Sequence, residues 1–187
     1  LALALVIIAA LFWTARGLDR SYSKNWEFFD ADSVSGLRRS AYGVLFAVFL
    51  TAVSGAFVAG LDAGLAYNTF PLMDGNRVPE GLLTMTPPFI NFFENTITVQ
   101  FDHRVLALST AALVIAVWVA ALRHNIPPSA RFAINCLFLA VIAQVALGIT
   151  TLLLVVPIEW AAAHQAGAVF LLICAVWFLR ELTPLSK

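Results

Sequence analysis

The chain has 187 residues, 61% of them hydrophobic and 12% charged, and its 11 basic and 11 acidic side chains cancel to a formal net charge of zero. A soluble domain carries about 25% charged residues; with a mean hydropathy of +0.88, the expected solvent here is the bilayer. The neutral balance excludes nucleic acid as a partner, because phosphate binding needs a basic surplus.

Residues 1–14, LALALVIIAALFWT, show neither the basic n-region nor the cleavage site of a signal peptide. They read as the truncated end of a transmembrane helix, and the chain as a fragment. Residues 15–39 form a polar connector. A membrane-crossing helix needs about 20 apolar residues, and the stretches 40–60, 103–122, 132–156 and 160–179 qualify. Lipid tolerates helices and closed barrels only, and no alternating strand pattern occurs. The expected fold is therefore an all-α integral membrane protein, with a four-helix bundle over 40–187 preceded by the truncated helix. Cys136 and Cys174 lie singly inside apolar runs and suggest neither a disulfide framework nor a metal site.

The connectors differ in charge. Arg16, Arg20, Lys24, Arg38 and Arg39, then Arg123 and Arg131, then Arg180 and Lys187 fall on one side; Arg77 and Arg104 fall on the other. Basic residues mark the cytoplasmic or matrix side, so the loop at 61–102 is expected on the outer side. That loop is long for a helical bundle and too apolar for a disordered linker. It is expected to fold over the bundle as a lid, with a short interfacial helix around 89–98.

Three histidines are present. His124 sits in a polar turn and reads as solvated. His103 opens one apolar span and His164 lies near the same end of another, so a four-helix arrangement can bring the two together. Inward-facing imidazoles on separate helices suit a bis-histidine haem; interfacial hydrogen bonding to water or headgroups is the alternative. Arg104 is a candidate partner for a haem propionate, or else an interfacial arginine paired with Asp102, and Asp102 is a candidate helix cap. Asp62 could cap a frayed helix end or orient a histidine. Gln144, with Gly148 four residues on, must find a partner within its span, either a neighbouring backbone or a bound macrocycle. Gln165 is similarly placed beside His164. Gly55, Gly60 and Gly64 permit close helix approach. No P-loop, dinucleotide fingerprint or Ser/His/Asp set appears.

The strings SGAFVAGLDAGLAYNTFPLM, NFFENTITVQFDHRVLA, QVALGITTLLL and AAAHQAG, in this order, resemble the haem A synthase family (the Cox15/CtaA group). The resemblance implies the C-terminal half of an eight-helix protein made of two similar bundles. It implies that His103 and His164 are axial ligands of a b-type haem. It further implies an enzyme that oxidises the C8 methyl of haem O to the formyl of haem A, with water as oxygen source, in support of cytochrome c oxidase assembly. Haem O and haem A are then substrate and product in the other half, where the family's reacting site lies; no catalytic residue is expected in this segment, since QFDHR has Gln100 and Asp102 where the family's acid is implicated. The implied setting is the mitochondrial inner membrane, or a bacterial plasma membrane, with the haem towards the intermembrane or periplasmic side. Expected partners besides the lipid bilayer are a haem O synthase and an electron-acceptor protein, and a homo-oligomer is compatible with the sequence. Two rival readings are a quinone-linked b-type cytochrome and a haem-free multipass transporter or assembly factor.

Overall fold

Proline and asparagine decide where three of the four spans begin. In the computed structural model, which describes residues 1–18 and 31–183, helix α1 runs Ala2–Leu18 and α2 Ala31–Gly60. A long connection then leads through a short helix α3, Asn91–Glu94, into α4, Thr96–Leu122. Helices α5, Pro128–Leu153, and α6, Ile158–Glu181, complete the chain. Pro127 and Pro157 stand at the N-caps of α5 and α6, and Pro128 takes the first turn of α5, where a missing N–H costs nothing. α4 starts differently. The Asn95 side chain accepts from the backbone N–H of Ile97 and Thr98 at 3.0 and 3.1 Å, satisfying two of the donors that a helix start leaves open.

Among the described residues, four helices, beginning at Val34, Thr96, Pro128 and Ile158, are long and apolar enough to cross a membrane, and α1 is a shorter apolar helix. This is the all-α integral membrane architecture expected from composition. Each span starts ahead of its apolar stretch, because a helix continues into the headgroup layer wherever its backbone is capped. α4 gains the seven residues 96–102 in this way, so His103 lies about two turns in rather than at its mouth, and Asn95 holds the capping role assigned to Asp102. α5 stops three residues short of its expected end. Val155 and Val156 both take left-handed backbone (φ 62 and 57), costly for β-branched residues, as the chain turns into Pro157.

The spans pack around a ring in the order α2, α4, α5, α6, with α6 closing back onto α2. α4 and α6 are therefore diagonal, and so are α2 and α5. Val44, Val114, Ile134, Leu137 and Phe178 are fully buried in the shared core, while Phe46, Leu139 and Phe170 face outward towards what the composition identifies as lipid. α1 packs on α6, where Arg16 pairs with the buried Glu181 at 2.8 Å and Arg180 lies over the Trp13 ring at 5.0 Å. Arg20, Lys24 and Lys187 lie outside the described residues.

Candidate functional site

Helix rise alone brings the site to one level. His103 lies seven residues into α4 and His164 six into α6, so each sits about 9–10 Å below its helix start. α2 and α5 run the other way. Gly55 and Gly148 each stand five residues before their helix ends, about 8 Å down. All four spans thus contribute at the same depth. Because α4 and α6 are diagonal, the two imidazoles meet near the bundle axis, with ring centres 6.5 Å apart and planes at 85°.

Each ring rests on a glycine of a neighbouring helix. A Cβ on Gly55 would come within 3.1 Å of His103 Cε1, and one on Gly148 within 2.8 Å of His164 Cε1. Each ring is also held through Nδ1: Ser54 Oγ lies 2.8 Å from Nδ1 of His103, and Gln144 Nε2 lies 3.1 Å from Nδ1 of His164. Among the described residues neither Nε2 atom has a hydrogen-bond partner. Ser54 escaped the sequence reading. It sits in an apolar run beside a glycine, and only its place next to Gly55 hinted at a role.

The loop above the rings is clasped from below. Gln100, buried, donates to the Tyr67 carbonyl at 3.1 Å; Arg104 donates to the carbonyls of Tyr67 and Thr69, each at 2.8 Å. Asn68 donates to the carbonyls of Gly64 and Leu152 at 2.9 Å, tying the same segment to the end of α5. Arg104 is therefore engaged with the loop backbone and not with Asp102. Further along, Asn91 and Asn95 bond to one another at 3.0 Å and reach Met85, Pro88, Gly81 and Thr84.

Of the remaining candidates, Asp62 adopts a left-handed backbone (φ 50) just past α2, and its side chain caps nothing. Gln165 is exposed and turned away from the pair. Gln144 is brought in: besides contacting the ring, its amide nitrogen donates to the His164 carbonyl at 2.9 Å. Among the described residues no group of three or more His, Cys, Asp or Glu side chains could hold a metal ion by itself. Two imidazoles could complete the coordination of a metal that brings its other ligands, as in a haem.

Comparison with known proteins fits this geometry. A family model described as COX15-CtaA, cytochrome oxidase assembly protein, matches residues 1–176. The chain is 44% identical to the "Heme A synthase" of Nitrosomonas eutropha over 98% of its own length and 51% of that protein. It is 45% identical to the "Heme A synthase" of Nitrosospira multiformis, over 97% of this chain and 50% of that one. It is also 44% identical to "Heme A synthase COX15" of Bos taurus, over 98% of this chain and 44% of that one. The chain thus spans about half the length of the curated relatives it matches. A match running through nearly all of α1 to α6, and through both histidine-bearing spans, leaves one assignment: the chain belongs to the COX15-CtaA family.

Proposed function

We propose that this chain acts in haem A synthesis, as the part of a haem A synthase that binds an auxiliary b-type haem between His103 and His164. The observation that carries the reading is the pair of imidazoles on diagonal helices, each fixed through Nδ1 with Nε2 unengaged. Two metal–imidazole bonds of about 2 Å each would place ring centres roughly 6 Å apart, close to the 6.5 Å seen. The glycines beneath both rings leave room for the imidazoles where they stand. Similarity to proteins named Heme A synthase supports the activity, and the fit of the histidines supports this chain's share in it.

A haem held by His103 and His164 would supply one-electron chemistry there. Oxidising a haem O methyl to a formyl with water releases electrons and protons, so the reacting centre needs an electron outlet. In this reading His103 and His164 ligate, Ser54 and Gln144 orient them, and the apolar spans exclude water. Arg104, Gln100 and Asn68 hold the loop across the end of the bundle. Haem O is the substrate, and an electron-acceptor protein takes the electrons onward. The setting is the mitochondrial inner membrane or a bacterial plasma membrane. The site lies towards the intermembrane or periplasmic side, since nine of the eleven basic residues fall on the connectors opposite.

The test is spectroscopic. Protein purified from membranes supplied with haem shows a low-spin spectrum, and His103→Ala with His164→Ala abolishes it; an unchanged spectrum in the double variant removes the assignment. Loss of the protein from its host depletes haem A. Normal haem A with the spectrum intact would leave a b-type cytochrome without the synthase role.

A further inference from the structure

The two histidines are held by partners of opposite character. Ser54 Oγ has one proton, which it donates to the Thr51 carbonyl at 2.8 Å. With its proton on that carbonyl, the same oxygen accepts from His103 Nδ1, also 2.8 Å away. Nδ1 of His103 therefore carries the ring proton, and its Nε2 presents a bare lone pair.

Gln144 does the reverse. Its amide nitrogen donates to the His164 carbonyl and, having no lone pair to offer, donates to Nδ1 as well. A neutral His164 then carries its proton on Nε2, the tautomer that cannot bind a metal through that atom. The amide oxygen of Gln144 is meanwhile buried without a partner. It lies against Gly167, where any Cβ would collide with it.

We propose that Gln144 is a two-position positioning residue for His164, presenting its amide nitrogen to the ring in the haem-free protein and its amide oxygen when Nε2 is ligated. The proposal rests on the haem reading above. A half-turn of the amide sets an acceptor at Nδ1. The ring proton then belongs on Nδ1 and leaves Nε2, so the imidazole stays neutral and the proton count is unchanged. Two donor bonds are given up, the turned oxygen faces the His164 carbonyl as well as Nδ1, and the amide N–H groups take the buried place beside Gly167; the oxygen gains the Nδ1–H partner it lacks, and ligation of Nε2 has to outweigh these losses. Gly167 has no side chain to obstruct the turn. His103 needs no such step, because Ser54 already accepts from its Nδ1. The two ligands are thus unequal: His103 is ready, and His164 is gated.

Gln144→Glu offers an acceptor in either orientation, whereas Gln144→Leu offers none. An acceptor at Nδ1 enriches the imidazole and favours ferric over ferrous haem. Redox titration of the haem-loaded protein is expected to give Gln144→Glu the lowest midpoint potential and Gln144→Leu the highest. A tenfold change in the ferric-to-ferrous preference reads as a shift of about 59 mV. In the haem-free wild type, nitrogen NMR of His164 is expected to place the proton on Nε2.

Equal potentials in all three proteins, or the reverse order, overturn the role of Gln144. So does a proton found on Nδ1 of haem-free His164. If Gln144→Glu does not assemble, Gln144→Leu decides alone: a raised potential upholds the role and an unmoved one overturns it. A wild-type protein that holds no haem overturns the haem reading itself, a result distinct from each of these.

Discussion

Replacing Gly148 by alanine separates a glycine kept for its ring contact from one that merely lines a helix. The added Cβ would sit 2.8 Å from His164 Cε1 and 3.4 Å from both ring nitrogens. The ring must therefore move, and its retreat is opposed by the Gln144 bond at 3.1 Å. Overpacking of this kind costs about 1–3 kcal/mol, which corresponds to about 5- to 150-fold in a binding constant. Gly55→Ala is milder. Its Cβ would meet His103 Cε1 at 3.1 Å, a contact relieved by a shift of a few tenths of an ångström, and the gain in helix propensity of up to about 1 kcal/mol works against the loss. Gly43→Ala serves as control, with nothing within 4 Å of the new methyl. Haem per polypeptide should fall, and the rate of haem transfer to an apoprotein acceptor should rise, in the order Gly43→Ala, Gly55→Ala, Gly148→Ala. Retention in Gly148→Ala equal to that in Gly43→Ala would refute the idea that the backbone of α5 sets the position of His164.

Ser54→Ala leaves the Nδ1–H of His103 without its acceptor; loss of such a supporting partner costs about 10- to 100-fold in metal affinity, measurable as faster haem dissociation. Arg104→Ala removes two charge-assisted bonds to the loop carbonyls, worth about 1.5–3 kcal/mol each. Amide exchange over residues 64–72 should accelerate in that variant and stay unchanged in Arg123→Ala; equal exchange in both would count against the clasp. Asn95→Ala removes the cap of α4 at about 1–2 kcal/mol and also severs its bonds to Gly81 and Thr84. A melting temperature lower by about 2–8 °C is expected for a chain of this size, and an unmoved one would show that the cap is dispensable.

The spans and their order were legible because lipid leaves the sequence few choices: long apolar runs must be helices, and short connectors make neighbours antiparallel. The pairing of His103 with His164 followed from the same topology. Helix starts were harder to see. Residues 96–102 look too polar for a span, yet Asn95 caps them into α4, while Asp102, which has a capping side chain, stands mid-helix where no cap is needed. The end of α5 carried a readable sign that hydropathy overrode: Pro157 disfavours helical backbone at Val156, and the turn falls just before it. Side-chain partners were least legible. Arg104, expected beside a propionate on its charge, also reaches the carbonyls of Tyr67 and Thr69, contacts 35 and 37 residues away that no spacing pattern announces. Ser54 and Gln144 could not be matched to their rings by spacing, since the contacts cross from α2 to α4 and from α5 to α6.

Those crossings give the site its logic. The hairpins α2–α4 and α5–α6 are equivalent in plan: in each, the first helix supplies a glycine beneath the ring and a polar side chain at Nδ1, and the second supplies the histidine. α2 and α5 therefore carry no ligand yet decide where both imidazoles stand. A rotation of either by a fraction of a turn would bring a larger residue under the ring and withdraw the Nδ1 partner together. Equivalence stops at the chemistry, because a serine oxygen accepts from His103 while a glutamine nitrogen donates to His164. The helix with the less committed ring is also the one braced from outside. α1 grips α6 through Arg16–Glu181 and Trp13–Arg180, which fixes the far end of α6 and leaves ring and amide as the adjustable parts. On the haem reading, assembly of this otherwise symmetric four-helix site has a direction: ligation at His103 first, with His164 following once its amide turns.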